Sequence, residues 1–418
     1  MKNVFEIIGG KRLNGVIINQ TSKNATLPIM SAGIICKGKV KINKWPDIVD
    51  FHNMCDILIK MGAEIEIQGR DCIINYENVS DKCIDCDLSK TMRSSQFLLG
   101  STLARFKSSM IVMPGGCKIG ARPLDIHINA FKKLNVKVVE LGDRIFFDAR
   151  NAKPNKIKLR IPSVGATENI VQFASTLKGK TIILNSAKEP EVVDLCNFLN
   201  KMGAKILGAG TDKITIYGVD SLHGVDYTPI GDRIVAGTIA VATALCGGDV
   251  TIYNAFPYQN LKLIEKLRSM SCQVDIKNDI MHIVAKGSLK SFRELTTGFY
   301  PDFPTDLQSM LLTLSCLADG ETIINEKVFE NRFLIVDELN KLGANIEKMN
   351  NHQVRIRGVK ELKGGNIVAN DLRGGASLVL AGMVAKGKTT IANTHYIDRG
   401  YEHIEEIFSS LGAKIKRK

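Results

Sequence analysis

The sequence predicts an α/β protein of two domains, each built from three copies of one repeat. Three observations carry that expectation: two sets of marker residues recurring about every 70 residues, one pattern of helices and strands between them, and a last copy that ends a strand short. One set closes an amphipathic helix, at Met61-Gly-Ala, Leu134-Asn-Val, Met202-Gly-Ala, Met270-Ser-Cys, Leu342-Gly-Ala and Leu411-Gly-Ala, with intervals of 73, 68, 68, 72 and 69 residues. The other stands where an apolar helix turns into a strand, at Gly38, Ser108, Gly179, Gly248, Gly320 and Gly387, with intervals of 70, 71, 69, 72 and 67.

In the first copy the elements read, in order, an apolar helix ("NATLPIMSAGIIC"), a strand ("KVKIN"), an amphipathic helix, then a strand, a tight turn and a strand ("AEIEIQGRDCIINYE"). From Phe51, the residues Met54, Cys55, Leu58 and Met61 lie at offsets of 3, 4, 7 and 10, one stripe of an α-helix. The hairpin alternates with period two around "GRD", as half-buried strands do. Six such units, αβαββ layers of a βαβαββ-type repeat, fill the chain. The last stops at "AKIKRK", a strand short of its hairpin, while residues 1–21 read as strands belonging to no unit. The N-terminus is therefore expected to complete the C-terminal half, with one domain at 22–230 (repeats 1 to 3) and the other at 231–418 plus 1–21 (repeats 4 to 6).

With 44% hydrophobic and 24% charged residues, and no apolar run near the roughly 18 residues of a membrane span, the chain reads as soluble and globular. Its start, "MKNVFEIIGGKRLNG", lacks a secretory signal pattern, so a cytoplasmic location is expected. Ten scattered cysteines agree, and the CxxC at Cys83 to Cys86 has no second pair to make a zinc site. No metal and no cofactor is expected. A net charge of +13 favours acidic partners, whether nucleic acid, an anionic membrane surface or small phosphorylated substrates; the lack of basic runs and an aromatic content of 6% weaken the nucleic-acid reading, and the placement of the cations must decide. "GMVAKGKT", 382–389, matches a phosphate-loop pattern, but its place in the repeat runs helix to strand, the reverse of the order that pattern needs.

Polar clusters open the first helix of every repeat, starting at Ser22, Thr91, Ser163, Asp232, Thr305 and Asp371, at intervals of 69, 72, 69, 73 and 66 residues. Helix capping accounts for most of these residues. It does not account for Lys23, Arg93, Arg233 and Arg373, cations set where the helix field disfavours them and where a bound anion would offset the cost. A second polar set follows the first strand of each repeat, with Arg332 in "FENRF", Arg399 in "YIDRGYE" and the loop "PGGCKIGARP". There Cys117, among glycines and beside Lys118 and Arg122, has the setting of a reactive thiol on a movable loop. His127 is expected to be a packed or surface residue, and Asp306 either a cap or a general base.

"PGGCKIGARP", "TMRSS", "SVGATEN", "FPTDLQ", "VFENRF", "DLRGGASLVLAG" and "IDRGYEHIE" together resemble the UDP-N-acetylglucosamine 1-carboxyvinyltransferase family of enolpyruvyl transferases, in order over essentially the whole chain. The resemblance implies two inside-out α/β barrel domains with the active site between them. It implies transfer of the enolpyruvyl group of phosphoenolpyruvate to the 3-hydroxyl of UDP-N-acetylglucosamine, with loss of phosphate. Cys117 would be the general acid and the thiol that fosfomycin alkylates, and Asp306 the base for the 3-hydroxyl. Lys23, Arg122 and Arg399 would hold phosphoenolpyruvate, Arg93 the nucleotide side and Asn24 the sugar. Ser163, Asp232, Val328, Asp371 and Arg373 would complete the binding residues. Neither nucleic acid nor a membrane is an expected partner. Two alternatives share the scaffold: a transferase acting on shikimate 3-phosphate, which lacks the cysteine loop, and a non-catalytic nucleic-acid-binding or regulatory protein. The chain departs from the family's usual SGAKNA, reading "QTSKNAT", and carries Val49 where a lysine is common.

Overall fold

A computed structural model of the chain describes residues 4–81, 96–112 and 124–418. These divide into two compact units: 4–20 with 231–418, and the described part of 21–230. Each holds three sheets, each belonging to one repeat.

The sheets follow one rule. In the first five repeats the strand after the first helix pairs antiparallel with the second strand of its own hairpin, and the first hairpin strand lies at the sheet edge. Among the described residues, five of the six sheets also hold a lead-in strand from elsewhere in the unit that adds in parallel. Leu13–Ile18 is the lead-in for Gly248–Tyr253. In the sixth repeat Val4–Ile8 stands in for the missing hairpin strand, between Lys388–Ala392 and Lys414–Arg417, with Phe5 opposite Ile391 and Ile7 opposite Ile415.

Helix burial separates the two helix types that hydropathy distinguishes. Leu372–Val384, Arg233–Cys246 and Gln308–Ser315 are buried on almost every side, as are Lys23–Ala32 and Val164–Ala174 in the other unit. Such helices have no solvent face and form the middle of each core. Some of their polar side chains pair across helices. Ser31 Oγ meets Ser101 Oγ at 2.9 Å and donates to Gln172 Oε1 at 3.1 Å, while Thr313 and Ser377 hydroxyls meet at 2.7 Å. The second helices, such as Val49–Lys60 and Leu261–Ser269, bury one face only.

The markers now have a physical basis. Met61, Leu134, Met202, Met270, Leu342 and Leu411 are each the C-cap of a second helix, none more than 2% exposed. Each next residue has positive φ, which favours glycine and tolerates asparagine. The "GMVAKGKT" segment runs from helix Leu372–Val384 into strand Lys388–Ala392. Gly248 has φ +144°, and a Cβ there would lie 1.8 Å from the Leu13 carbonyl oxygen, whereas at Gly38 the nearest atom would be 4.0 Å away. Gly248→Ala is therefore expected to cost about 3 kcal/mol in thermal unfolding, with Gly38→Ala within about 0.5 kcal/mol of wild type.

Candidate functional site

In the unit of residues 231–418, the polar residues at the first-helix starts converge. Asp232 and Asp371 are N-caps: Asp232 Oδ1 accepts from the Ile234 and Val235 amides, and Asp371 Oδ1 from those of Arg373 and Gly374. Asp306 is not a cap. It lies in the single turn Thr305–Leu307 that leads into Gln308–Ser315, and its oxygens face cations: Oδ1 accepts from Arg332 Nη2 at 2.5 Å and Oδ2 from Arg373 Nη2 at 3.3 Å.

Both guanidiniums are buried, with side chains 3% and 4% exposed, while Asp306 keeps 27%. Arg332 lies over the Phe329 ring and Arg373 over that of Tyr401, at 5.1 and 5.5 Å. Burial opposes the Arg373 charge, but Asp306, Tyr401 and Asp232 outweigh it and raise its proton affinity. The Tyr401 hydroxyl is itself pushed up by burial and drawn back by Arg373 and by Thr238, 2.9 Å away. Arg332 Nε and Arg373 Nη1 are shut off from solvent and have no hydrogen-bond partner among the described residues. Such an arrangement presents a carboxylate to a hydroxyl and positive charge to an anion.

Val328 lies in the same unit, its amide held by Glu326 Oε1 at 2.8 Å. Arg399 is half-buried in the turn after Thr394–Tyr396. Gln20 brackets that turn: its Nε2 donates to the Gly400 carbonyl at 3.2 Å and its Oε1 accepts from the Glu402 amide at 2.9 Å.

In the unit of residues 21–230, Lys23 begins helix Lys23–Ala32, capped by Ser22, and its Nζ meets Asp50 Oδ2 at 2.6 Å. Asp50 is 2% exposed in the first turn of Val49–Lys60, where the helix field favours a carboxylate. Asn24 follows, half-buried, and Ser163 caps Val164–Ala174. His127 is packed: its Nδ1 lies 3.2 Å from Asn169 Nδ2, and burial, against the pull of Asp125, lowers its pKa to about 4. A cavity of about 590 Å³ lined by Lys107, Met110, Phe146 and others contains none of the candidate residues.

The "QTSKNAT" departure has a local account. Gln20 holds the Arg399 turn, Thr21 Oγ1 donates to the Lys44 carbonyl, and Ser22 caps the helix. Val49 is the exposed first residue of its helix. Arg93, Cys117 and Arg122, with Cys83 and Cys86, lie outside the described residues.

Sequence reasoning missed Asp50, Tyr401 and Glu326, and it assigned Arg332 no role. It also looked for external anions at the buried cations, where Asp50 and Asp306 supply part of the balance from within the chain.

Residues 7–408 match the family model described as EPSP synthase (3-phosphoshikimate 1-carboxyvinyltransferase). The chain is 43% identical to UDP-N-acetylglucosamine 1-carboxyvinyltransferase 2 of Caldanaerobacter subterraneus subsp. tengcongensis, with 99% of each chain covered. It is 44% identical to the UDP-N-acetylglucosamine 1-carboxyvinyltransferase of Endomicrobium trichonymphae, with 98% of each covered. The crystal structure of the enolpyruvyl transferase NikO from Streptomyces tendae superposes with a TM-score of 0.88 at 25% identity, covering 100% of this chain and 99% of that one. Identity at this level along nearly the full length places the chain in the enolpyruvyl transferase family, among the UDP-N-acetylglucosamine 1-carboxyvinyltransferases.

Proposed function

We propose that this protein transfers the enolpyruvyl group of phosphoenolpyruvate to the 3-hydroxyl of UDP-N-acetylglucosamine and releases phosphate, a step of peptidoglycan synthesis. The observation that carries this reading is identity above 40% with enzymes of that name along nearly the full chain, which favours it over a shikimate 3-phosphate transferase or a non-catalytic protein. The same reading takes residues 22–230, and 1–21 with 231–418, as two inside-out α/β barrel domains that both contribute to one reaction.

In the proposed mechanism Asp306 takes the proton of the 3-hydroxyl as its oxygen attacks C2 of phosphoenolpyruvate, and Cys117 protonates the methylene carbon. Loss of a proton from that carbon and of phosphate from C2 then restores the double bond. Lys23, Arg122 and Arg399 hold the phosphate and carboxylate. Arg332 and Arg373 hold Asp306 and supply fixed positive charge toward the anionic substrates. Arg93, Asn24, Ser163, Asp232, Val328 and Asp371 bind or shape the site for the sugar nucleotide. Fosfomycin would alkylate Cys117, and neither nucleic acid nor a membrane takes part. No helix among the described residues is long and apolar enough to cross a membrane.

The test is product identity. Nuclear magnetic resonance of the reaction mixture should find a vinyl ether on the sugar 3-oxygen and one inorganic phosphate per product. Phosphate without the ether would mean hydrolysis and would reject the proposal.

A further inference from the structure

The mechanism makes no use of one buried carboxylate of the 231–418 unit that accepts four hydrogen bonds. Glu326, 0% exposed, follows strand Glu321–Asn325. Its Oε1 accepts from Thr297 Oγ1 at 2.9 Å, the Val328 amide at 2.8 Å and the Phe329 amide at 3.1 Å. Its Oε2 accepts from Thr305 Oγ1 at 2.8 Å. The Lys327 amide donates in turn to Thr297 Oγ1 at 3.0 Å. The backbone of Glu326 is fixed as well, its amide donating to the His352 carbonyl at 2.8 Å.

These bonds join the two chain segments that meet at Asp306. Thr305 immediately precedes it. Val328 and Phe329 lead to Arg332, whose guanidinium rests over the Phe329 ring. Thr305 occupies the position equivalent to the caps Ser22, Ser163, Asp232 and Asp371, yet no side-chain cap bond opens its turn and its hydroxyl goes to Glu326 instead. A carboxylate buried without solvent is costly unless its acceptors are filled. Four donors fill these, and they come from the segments whose relative placement sets the Asp306 to Arg332 contact.

We infer that Glu326 is a positioning residue: acting through Thr305 on one side and the Val328 and Phe329 amides on the other, it fixes Asp306 against Arg332. The inference rests on the proposed role of Asp306 as base. A displacement of about 1 Å at a reacting group can cost roughly 100-fold in rate, so the expected effect is on kcat more than on binding.

The test compares Thr305→Val, Glu326→Ala and Glu326→Gln by steady-state kinetics, thermal unfolding and the nuclear magnetic resonance signal of the Arg332 Nε–H group, assigned from Arg332→Lys. Thr305→Val removes one arm without changing side-chain shape. It is expected to lower kcat roughly 10-fold, with KM for phosphoenolpyruvate within about twofold and the Arg332 signal shifted. Glu326→Ala should do more. Glu326→Gln keeps a carbonyl for the amides and an NH₂ for the Thr305 hydroxyl, and should restore the Arg332 signal and most of kcat. An unchanged kcat and Arg332 signal in Thr305→Val, or a glutamine variant as impaired as the alanine one, would overturn the inference. If wild type itself released no phosphate, the proposed function would fail, while the Arg332 signal would still decide the positioning claim.

Discussion

Asp306→Asn is expected to lower kcat by roughly 10²- to 10⁴-fold, the range for loss of a positioned general base. The amide keeps the size of the carboxylate but cannot take the proton of the sugar hydroxyl. It also loses half its acceptor capacity, so the Arg332 or the Arg373 contact must weaken or turn repulsive. The asparagine should leave the fold intact, because Asp306 is partly exposed and its turn is also held through Thr305. KM for phosphoenolpyruvate should change little. Phosphate release within about fivefold of wild type would remove Asp306 from the role of base.

Cys117→Ala is expected to abolish both turnover and fosfomycin labelling while leaving the unfolding profile unchanged. The structure gives this result its specificity. Cys36, Cys55, Cys196, Cys246, Cys272 and Cys316 all have thiols pushed up, in every case with burial as a cause, to about 11 for Cys36 and Cys272 and about 12 for Cys196, Cys246 and Cys316. Cys55 has the neighbouring Cys72 as its leading cause. Thiols so held stay protonated at neutral pH and react slowly. Cys117, with Gly115, Gly116 and Gly120 around it in the sequence and Lys118 and Arg122 close behind, is expected to be the opposite case. Mass spectrometry of the fosfomycin-treated protein should find the label on the peptide carrying Cys117, and phosphate release surviving in the alanine variant would refute its role.

The repeat was readable because its markers answer a local physical demand. A buried Met or Leu closes each second helix, and the following residue must take positive φ, so glycine, asparagine or serine recurs at one place in every unit. The cations at the helix starts were readable for the same reason: they oppose the helix field, and such opposition needs an explanation. Their partners were not. Asp50 lies 27 positions from Lys23, and Asp306 meets Arg332 and Arg373 at separations of 26 and 67. No periodicity encodes those distances. Glu326 draws donors from residues 297, 305, 328 and 329, of which only the last two are local. Thr305 occupies a capping position in the repeat and serves that carboxylate, a difference that only the fold reveals.

The measurement that bears most directly on the whole account is phosphate release by the purified chain from phosphoenolpyruvate, with UDP-N-acetylglucosamine or shikimate 3-phosphate as acceptor. Release with the sugar nucleotide alone, stopped by fosfomycin, is the predicted result. Release with shikimate 3-phosphate at an equal or greater rate, or with neither acceptor, would contradict it.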